Sequence, residues 1–213
     1  MRLTAIPNCV DTEKFAPRLP DEKLLRAVVP KDAFVMLCCA RLTANKGIVY
    51  LLHAMAGVYE THPHVHLILA GDGELRNELE ATASELGIAD HVHFTGYLSD
   101  VRASLTQCDV YIQPSLVEGL PISVLEAMSM GKPVIATAVS GTPEIVRHEQ
   151  TGLCVPPADP DALRKAIVRF VEQPTVREAM AKTGRILISH EYSLHSLRNR
   201  LQRLYSELLE DAA

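Results

Sequence analysis

Two glutamates stand eight residues apart, Glu118 in a glycine-containing loop and Glu126 in the helical pattern that follows it. Paired carboxylates raise the question of acid and base catalysis on one bond. If the chain between them were all helical, the two residues would lie roughly 12 Å apart. Glycosidase pairs use carboxyl spacings of ~5 to 9.5 Å. The spacing therefore disfavours a glycosidase and indicates residues that hold two ends of one long ligand.

The loop between the two glutamates, Gly119–Leu120–Pro121, is typical of a helix N-terminus. Proline is tolerated as the first helical residue because its missing N–H would be unpaired there. The first N–H groups of a helix have no internal partner, and the helix dipole adds partial positive charge. We therefore predict that Gly119, Leu120 and the residues just after Pro121 offer N–H groups to an anion.

Glu126 falls on a helix that is apolar nearly all round, which is the pattern of a buried helix. A carboxylate without hydrogen-bond partners would be costly in such a place. Two interpretations stay open. The side chain either reaches solvent from the helix face, or it accepts hydrogen bonds from a ligand that lies over the helix start.

Two cations, Arg41 and Lys46, flank a strand-to-helix turn in which Gly47 follows the lysine. In isolation they are consistent with ordinary surface residues. In α/β proteins, however, ligands bind outside the carboxyl ends of the parallel strands, and both cations fall at such an end. Their position therefore favours a ligand site more than the residue types alone do.

The elements that must position these residues alternate between strand and helix, as a parallel sheet with crossover helices requires. Strand patterns cover residues 34–40, 65–70, 92–95, 110–113, 134–136 and 152–155. Helical patterns cover residues 46–61, 74–86, 100–106, 161–172, 175–189 and 193–209, with a further helix from Pro121 and a short turn after Glu144. The predicted fold class is α/β, a parallel sheet of about six strands with helices on both faces.

The segment from Glu118 to Glu126 resembles the E-x7-E motif of the retaining, nucleotide-sugar-dependent glycosyltransferases of family 4. Their fold is two Rossmann-like domains that face a cleft. Further segments match in the order of the C-terminal, donor-binding domain, and these are IPNCVD, ARLTANKG, LAGDGELRNELE, VHFTGYLSDV, GKPVIATAVSGTPEIV and TGLCVPPADPDAL. Together they cover most of the chain, although Cys9 and Ala40 stand where the family usually has glycine.

The resemblance implies roles for the residues that match these motifs. Arg41 and Lys46 would neutralise the donor diphosphate, while Gly119 to Pro121 would make backbone contacts. Glu126 would receive the ribose hydroxyls, and Glu118 would lie near the donor sugar. The catalytic residues would then be Glu118, Arg41 and Lys46, without a side-chain nucleophile, because the family is thought to use front-side attack with the leaving phosphate as base. Fixed cations stabilise the extra charge on that phosphate.

The same resemblance places the loop of Gly96, Tyr97 and Leu98 near the nucleotide base. No cofactor and no metal ion are expected, because cations and a helix N-terminus supply the positive charge. The substrate would be a nucleoside diphosphate sugar. Its base and sugar, and the acceptor, stay open.

The resemblance also divides the chain. Residues 1–32 correspond to an interdomain linker segment and loop, residues 33–190 to the Rossmann-like nucleotide-sugar-binding domain, and residues 191–213 to a C-terminal crossover helix. The N-terminal, acceptor-binding domain of the family would be the missing partner. The second hypothesis is therefore a nucleotide-sugar-binding module without turnover of its own.

The final helix carries a stripe of leucines at three- and four-residue intervals, namely Leu194, Leu197, Leu201, Leu204 and Leu208. In the family this helix packs on the N-terminal domain. Without that domain, we expect it either to fold onto the sheet of this chain or to pair with a second copy in a symmetric homodimer.

Other function classes fit less well. Gly71–Asp72–Gly73 lacks the third glycine of a dinucleotide fingerprint, where Arg76 stands, and no acid ends the following strand, which disfavours a nicotinamide enzyme. Alternating histidines need not converge on a metal, and these are His62, His64, His66, His91 and His93.

Bulk properties narrow the choice further. A net charge of −5 and the lack of a basic block argue against nucleic-acid binding. The apolar runs are too short to span a bilayer. The five cysteines lack paired metal-ligand spacing, so we expect reduced thiols in a cytoplasmic protein, with peripheral membrane association of a full-length protein left open.

Overall fold

One parallel sheet forms the centre of the molecule, for which a computed structural model describes residues 4–18 and 28–210. Its six strands are β1 (Phe34–Cys39), β2 (Val65–Ala70), β3 (Val92–Gly96), β4 (Val110–Gln113), β5 (Val134–Thr137) and β6 (Leu153–Val155). Their order in the sheet is β3-β2-β1-β4-β5-β6, and every neighbouring pair is parallel. The predicted six-stranded parallel sheet is therefore confirmed.

Helices connect the strands. They are α1 (Ile48–Tyr59), α2 (Arg76–Glu85), α3 (Arg102–Gln107), α4 (Ile122–Ser129), α5 (Thr142–Ile145), α6 (Pro160–Glu172), α7 (Pro174–Glu191) and α8 (Leu194–Glu210). Two short 3-10 turns, Ala44–Lys46 and Ala89–His91, precede α1 and β3.

Both faces of the sheet are covered. Side chains alternate between the two faces along a strand. Met36 and Cys38 of β1 accordingly belong to one apolar cluster, and Val35 and Leu37 belong to a second cluster on the other face. The first cluster includes buried residues of α1, α2 and α6, and the second includes buried residues of α3, α4 and α7. The prediction of helices on both faces is thus confirmed.

The predicted helix 46–61 is wrong at its start. Gly47 has a left-handed backbone (φ 61°), which ends the 3-10 turn and separates it from α1. A Cβ atom at this position would collide with the carbonyl oxygen of Pro114, in the loop after β4. Glycine is required here both for the backbone conformation and for the close approach of the two loops.

Pro121 was predicted to be the first residue of helix α4. It instead precedes the helix, which begins at Ile122. Its ψ of 115° is extended, and its carbonyl oxygen accepts the hydrogen bond from the N–H of Leu125 (3.2 Å). The helix is also not buried all round. Val124 and Leu125 are buried, but Ile122 is 51% exposed, so one side of the helix start faces outward.

Residues 4–18, part of the predicted linker 1–32, pack against the domain. The N–H of Val10 donates to the carbonyl of Tyr192 (2.8 Å), and Ser129 Oγ donates to the carbonyl of Phe15 (2.9 Å). Val10 and Phe15 are buried in the second cluster. Residues 19–27 of the predicted linker segment and loop lie outside the described residues.

Helix α8 is not packed onto the sheet, because none of its residues is buried. Leu194 and Leu208 of the predicted leucine stripe are exposed, while Leu197, Leu201 and Leu204 are half-buried. The structure therefore does not show the fold-back arrangement. Pairing with a second copy stays a prediction.

We predict that Gly47→Ala destabilises the protein more than the matched change Gly87→Ala. Both glycines are left-handed, with φ of 61° and 68°, so either alanine costs about 1 to 2 kcal/mol of backbone strain. Only the first adds a collision, since a Cβ at Gly87 meets nothing within 4 Å. Equilibrium urea unfolding measures both losses, and equal losses would contradict the close approach of the Gly47 and Pro114 loops.

Candidate active site

The candidate site lies where the strand order reverses, between β1 and β4. In open α/β sheets this reversal opens a crevice outside the carboxyl ends of the strands, and ligands bind there. Lys46 follows β1 and Glu118 follows β4, so the topology alone brings the two residues to the same crevice.

Lys46 and Glu118 form an ion pair across this crevice. The distance from Lys46 Nζ to Glu118 Oε1 is 2.6 Å, and the two side chains are only 22% and 11% exposed. The two loops are also joined through their backbones, since the N–H of Leu116 donates to the carbonyl of Asn45 (2.8 Å). The structure thus brings together two residues for which the sequence resemblance implied separate roles.

Two further donors hold the same oxygen of Glu118. Ser115 Oγ donates to Glu118 Oε1 at 2.7 Å, and Gln113 Nε2 donates to it at 2.9 Å. Within the described residues no donor reaches the other oxygen, Oε2. Three donors, one of them the ammonium group of Lys46, thus converge on one oxygen of Glu118. This arrangement suits charge and hydrogen-bond acceptance better than acid catalysis.

Gln113 and Ser115 were missed by the sequence analysis. Both are buried at the carboxyl end of β4. Gln113 was interpreted only as the end of a strand, and Ser115 as part of a loop. The available signal was the polar residue that closes an otherwise apolar central strand at the edge where ligands bind.

The side chain of Arg41 is exposed, and it has no hydrogen bond or ion pair with any other residue in the described part of the chain. Its loop is held by backbone packing, because a Cβ on Gly71 would collide with the carbonyl of Ala40 and a Cβ on Gly73 with that of Leu42. The Gly71–Asp72–Gly73 turn therefore serves the close approach of two loops. Arg41 is left with a free guanidinium at the crevice edge of β1.

The start of α4 presents unpaired N–H groups. The carbonyl of Gly119 accepts from the N–H of Gly141 (3.0 Å), and that of Leu120 accepts from Asn8 Nδ2 (3.0 Å). The N–H groups of Gly119, Leu120 and Ile122 have no acceptor among residues 4–18 and 28–210. Neighbouring residues thus fix this loop through its carbonyls and leave its donors available.

Glu126 lies on the second turn of α4, half-buried beside exposed Ile122. Burial raises the pKa of its carboxyl group, Lys14 opposes this by attraction, and Asp100 adds to it by repulsion. Its carboxylate has no hydrogen-bond donor in the described part of the chain. The side chain is therefore neither freely solvated, as the first interpretation required, nor paired within the protein.

The loop predicted to lie near the nucleotide base follows β3. Gly96 is left-handed (φ 74°), and its carbonyl accepts from the N–H of Gly71 (2.8 Å). Tyr97 is 81% exposed, and Leu98 packs partly against the second cluster. Within the described residues, no hydrogen bond or ion pair joins this loop to Glu118 or Glu126.

The histidines lie toward the opposite end of the sheet. His66 Nδ1 is 3.1 Å from His93 Nε2, near the amino ends of β2 and β3. Burial and neighbouring histidines lower the pKa of His66 to about 4. In the described ranges, no group of three or more His, Cys, Asp or Glu is placed to hold a metal ion.

Two cavities of the described chain, each of about 640 Å³, lie away from the ion pair. One is lined by residues of α2 and β3, including Arg76 and Phe94, and the other by residues near Lys132 and along α7. Neither of these two cavities includes Lys46, Glu118 or Glu126 of the candidate site. The chemistry of its residues, and not its volume, marks it as the site.

Residues 21–186 match the family described as "Glycosyl transferases group 1". The chain belongs to this family. It is 34% identical over 194 residues to the GDP-mannose-dependent alpha-(1-6)-phosphatidylinositol monomannoside mannosyltransferase of Mycolicibacterium smegmatis, covering 86% of this chain and 50% of that protein. It is also similar to Anabaena HepE in complex with UDP and glucose, with a TM-score of 0.87 and 25% identity over 94% of this chain and 56% of HepE.

The fold also matches a C-terminal domain solved on its own. This is the C-terminal domain of the Francisella tularensis group 1 glycosyltransferase LpcC, with a TM-score of 0.78 and 22% identity over 87% of this chain and 99% of that one. The chain spans about half the length of the curated relatives it matches. Among its described residues, no helix is both long enough and apolar enough to cross a membrane. The fold is therefore that of a group 1 glycosyltransferase C-terminal domain.

We predict that Glu126→Gln stabilises the ligand-free protein at pH 7. Because the native pKa of Glu126 is raised, the native state keeps this proton to higher pH than the unfolded chain, and stability falls as pH rises above the ordinary value of 4.5. The gain should vanish below that pH. Chemical denaturation across a pH series measures it.

Glu149→Gln is the opposite control. Arg169 donates hydrogen bonds to Glu149 and lowers the pKa of its carboxyl, so this change should reduce stability at pH 7. A Glu126→Gln variant no more stable than the parent at pH 7 would contradict the desolvated carboxylate.

Proposed function

We propose that this chain is the donor-binding half of a family 4 retaining glycosyltransferase, which transfers a sugar from a nucleoside diphosphate sugar to an acceptor with retention of anomeric configuration. The observation that carries the proposal is the Lys46–Glu118 ion pair at the reversal of strand order, 2.6 Å long and largely shielded. Beside it, the start of α4 offers unpaired N–H groups as hydrogen-bond donors. The carboxylate of Glu126 offers an unpaired acceptor.

The diphosphate would bind to Lys46, Arg41 and the N–H groups that begin α4. An ammonium group has three donors, and Glu118 uses one of them in the ligand-free protein. Arg41 has its whole guanidinium available for a phosphate. In the reaction, these cations would stabilise the charge that develops on the departing diphosphate. The positive charge of Lys46 and Arg41 also supports a site that works without a metal ion.

The nucleoside would bind on the other side of the loop Gly119–Leu120–Pro121. Glu126 is a half-buried carboxylate without donors, and two ribose hydroxyls would supply them. Glu118 would accept from the donor sugar through Oε2. Gly96, Tyr97 and Leu98 would border the base. UDP in HepE and GDP-mannose for the mycobacterial relative make uracil and guanine the first bases to test.

A nucleotide-sugar-binding module without turnover would use the same contacts. The two functions differ in whether sugar is transferred once an acceptor-binding domain is present. For the chain by itself, both functions give binding with negligible transfer. Robust transfer by the isolated chain would contradict the proposal that it is one half of the catalytic cleft.

We predict that Lys46→Ala weakens binding of a nucleoside diphosphate and leaves nucleoside binding unchanged. A lost charge-assisted hydrogen bond costs roughly 1.5 to 3 kcal/mol, which is about 10- to 150-fold in affinity. Calorimetry with UDP, GDP, uridine and guanosine measures the effect, with and without a chelator. Equal affinity of the variant and the parent for the diphosphate would exclude Lys46 from the phosphate site.

Two further variants provide a control for the loss of a lysine and a test of the ribose site. Lys165→Ala removes an exposed lysine of α6, and it should leave all affinities unchanged. Glu126→Gln should weaken the nucleoside and the diphosphate alike, because both contain the ribose. If Glu126→Gln leaves nucleoside affinity intact, the ribose assignment is wrong.

A further inference from the structure

A set of buried and half-buried polar side chains lies beneath Glu118. We name it the Gln113 network, and its members are Tyr111, Gln113, Ser115 and Ser123. Gln113 is only 2% exposed, and Tyr111 and Ser115 are fully buried. Buried polar groups are costly unless their hydrogen bonds are made, so a network in this position must have every member satisfied.

All hydrogen-bonding capacity of the Gln113 amide is used. Its Oε1 accepts from Tyr111 OH (2.9 Å) and from Ser123 Oγ (3.2 Å). Its Nε2 donates to Ser115 Oγ (2.8 Å) and to Glu118 Oε1 (2.9 Å). The carboxylate of Glu118 only accepts, so it requires the amide nitrogen on its side, and this fixes which way the amide points.

The network reaches from the sheet to the ion pair. Tyr111 and Gln113 belong to β4, and Ser123 belongs to the first turn of α4. Ser115 is held in turn by Thr137 of β5, whose hydroxyl donates to the Ser115 carbonyl. One oxygen of Glu118 is thereby tied to two strands and a helix, and the other oxygen has no donor in the described chain.

We propose that Gln113 is a positioning residue of the donor site. It acts through Glu118 by holding Oε1 of that residue beside Lys46. Oε2 is then left for the sugar of the substrate, and the remaining N–H groups of Lys46 are left for the diphosphate. Without Gln113, the carboxylate is free to turn and to pair with Lys46 through both oxygens. This inference rests on the proposed function, and the experiment below separates the two.

The decisive variant is Gln113→Glu. It keeps an acceptor for Tyr111 and Ser123, but it replaces the donor to Glu118 by a second carboxylate oxygen at a separation of about 2.9 Å. Two carboxylates at this distance cannot both ionise freely, so the pair retains one shared proton. Raising the pH removes that proton and adds negative charge beside the diphosphate site. Between about pH 5.5 and 8, we expect the affinity of Gln113→Glu for the nucleotide-sugar donor to fall about tenfold more than that of the parent protein.

Calorimetry measures this with whichever of UDP-glucose and GDP-mannose the parent binds more tightly. A second variant, Gln113→Met, removes the hydrogen bonds without adding charge, and it should weaken the donor about tenfold at all pH values while sparing the free nucleoside. The matched control is Gln107→Met, which removes a buried amide of α3. It should leave donor affinity and its pH profile unchanged, even if it costs comparable stability.

The outcomes are distinct. A new pH dependence in Gln113→Glu, with a loss of donor but not nucleoside affinity in Gln113→Met, supports the positioning role. Parent-like affinities and pH profiles in both variants overturn that role and leave the proposed function standing. A parent protein that binds neither donor overturns the proposed function and the positioning role together.

Discussion

One ion pair, between Lys46 and Glu118, joins the two halves of the sheet at its carboxyl edge, and the rest of the site depends on it. Partly buried pairs contribute little net stability, because removing the charges from water offsets most of their attraction. Stability alone therefore does not account for this pair. Its value lies in placing a cation and a carboxylate at one crevice, held there by the left-handed Gly47 on one side and by the buried amide of Gln113 on the other.

The ion pair follows from topology. Strand order reverses between β1 and β4, and the loops that leave these two strands meet, since the N–H of Leu116 donates to the carbonyl of Asn45. Gly47 lets these two loops approach, since a side chain there would strike the carbonyl of Pro114. Gly71 and Gly73, in the loop after β2, allow a similar close approach to the loop after β1. The start of α4 completes the crevice with unpaired N–H groups. A site of this kind binds an anion through fixed charges and dipoles, in which reorganisation on binding is small.

The sequence predicted the class of fold, the number of strands and the type of nearly every element, because period and turn residues are local properties of the chain. It also identified Lys46, Glu118 and Glu126 as candidate site residues. It did not predict that Lys46 and Glu118 touch, because they are 72 residues apart and meet only through strand order. Gln113 was missed although its four partners lie within ten residues of it, because a polar residue at a strand end does not show which side chains the following loop brings back to it. Pro121 was placed one position too far into α4, because proline is compatible with both the cap and the first turn.

We propose that the crevice between β1 and β4 holds the donor diphosphate. A crystal structure of this chain with bound UDP or GDP tests it most directly. We expect the diphosphate against Lys46, Arg41 and the N–H groups of Gly119 and Leu120, with the ribose hydroxyls on Glu126. A nucleotide bound instead in the cavity beside Arg76 and Phe94, with the Lys46–Glu118 pair untouched, would contradict it.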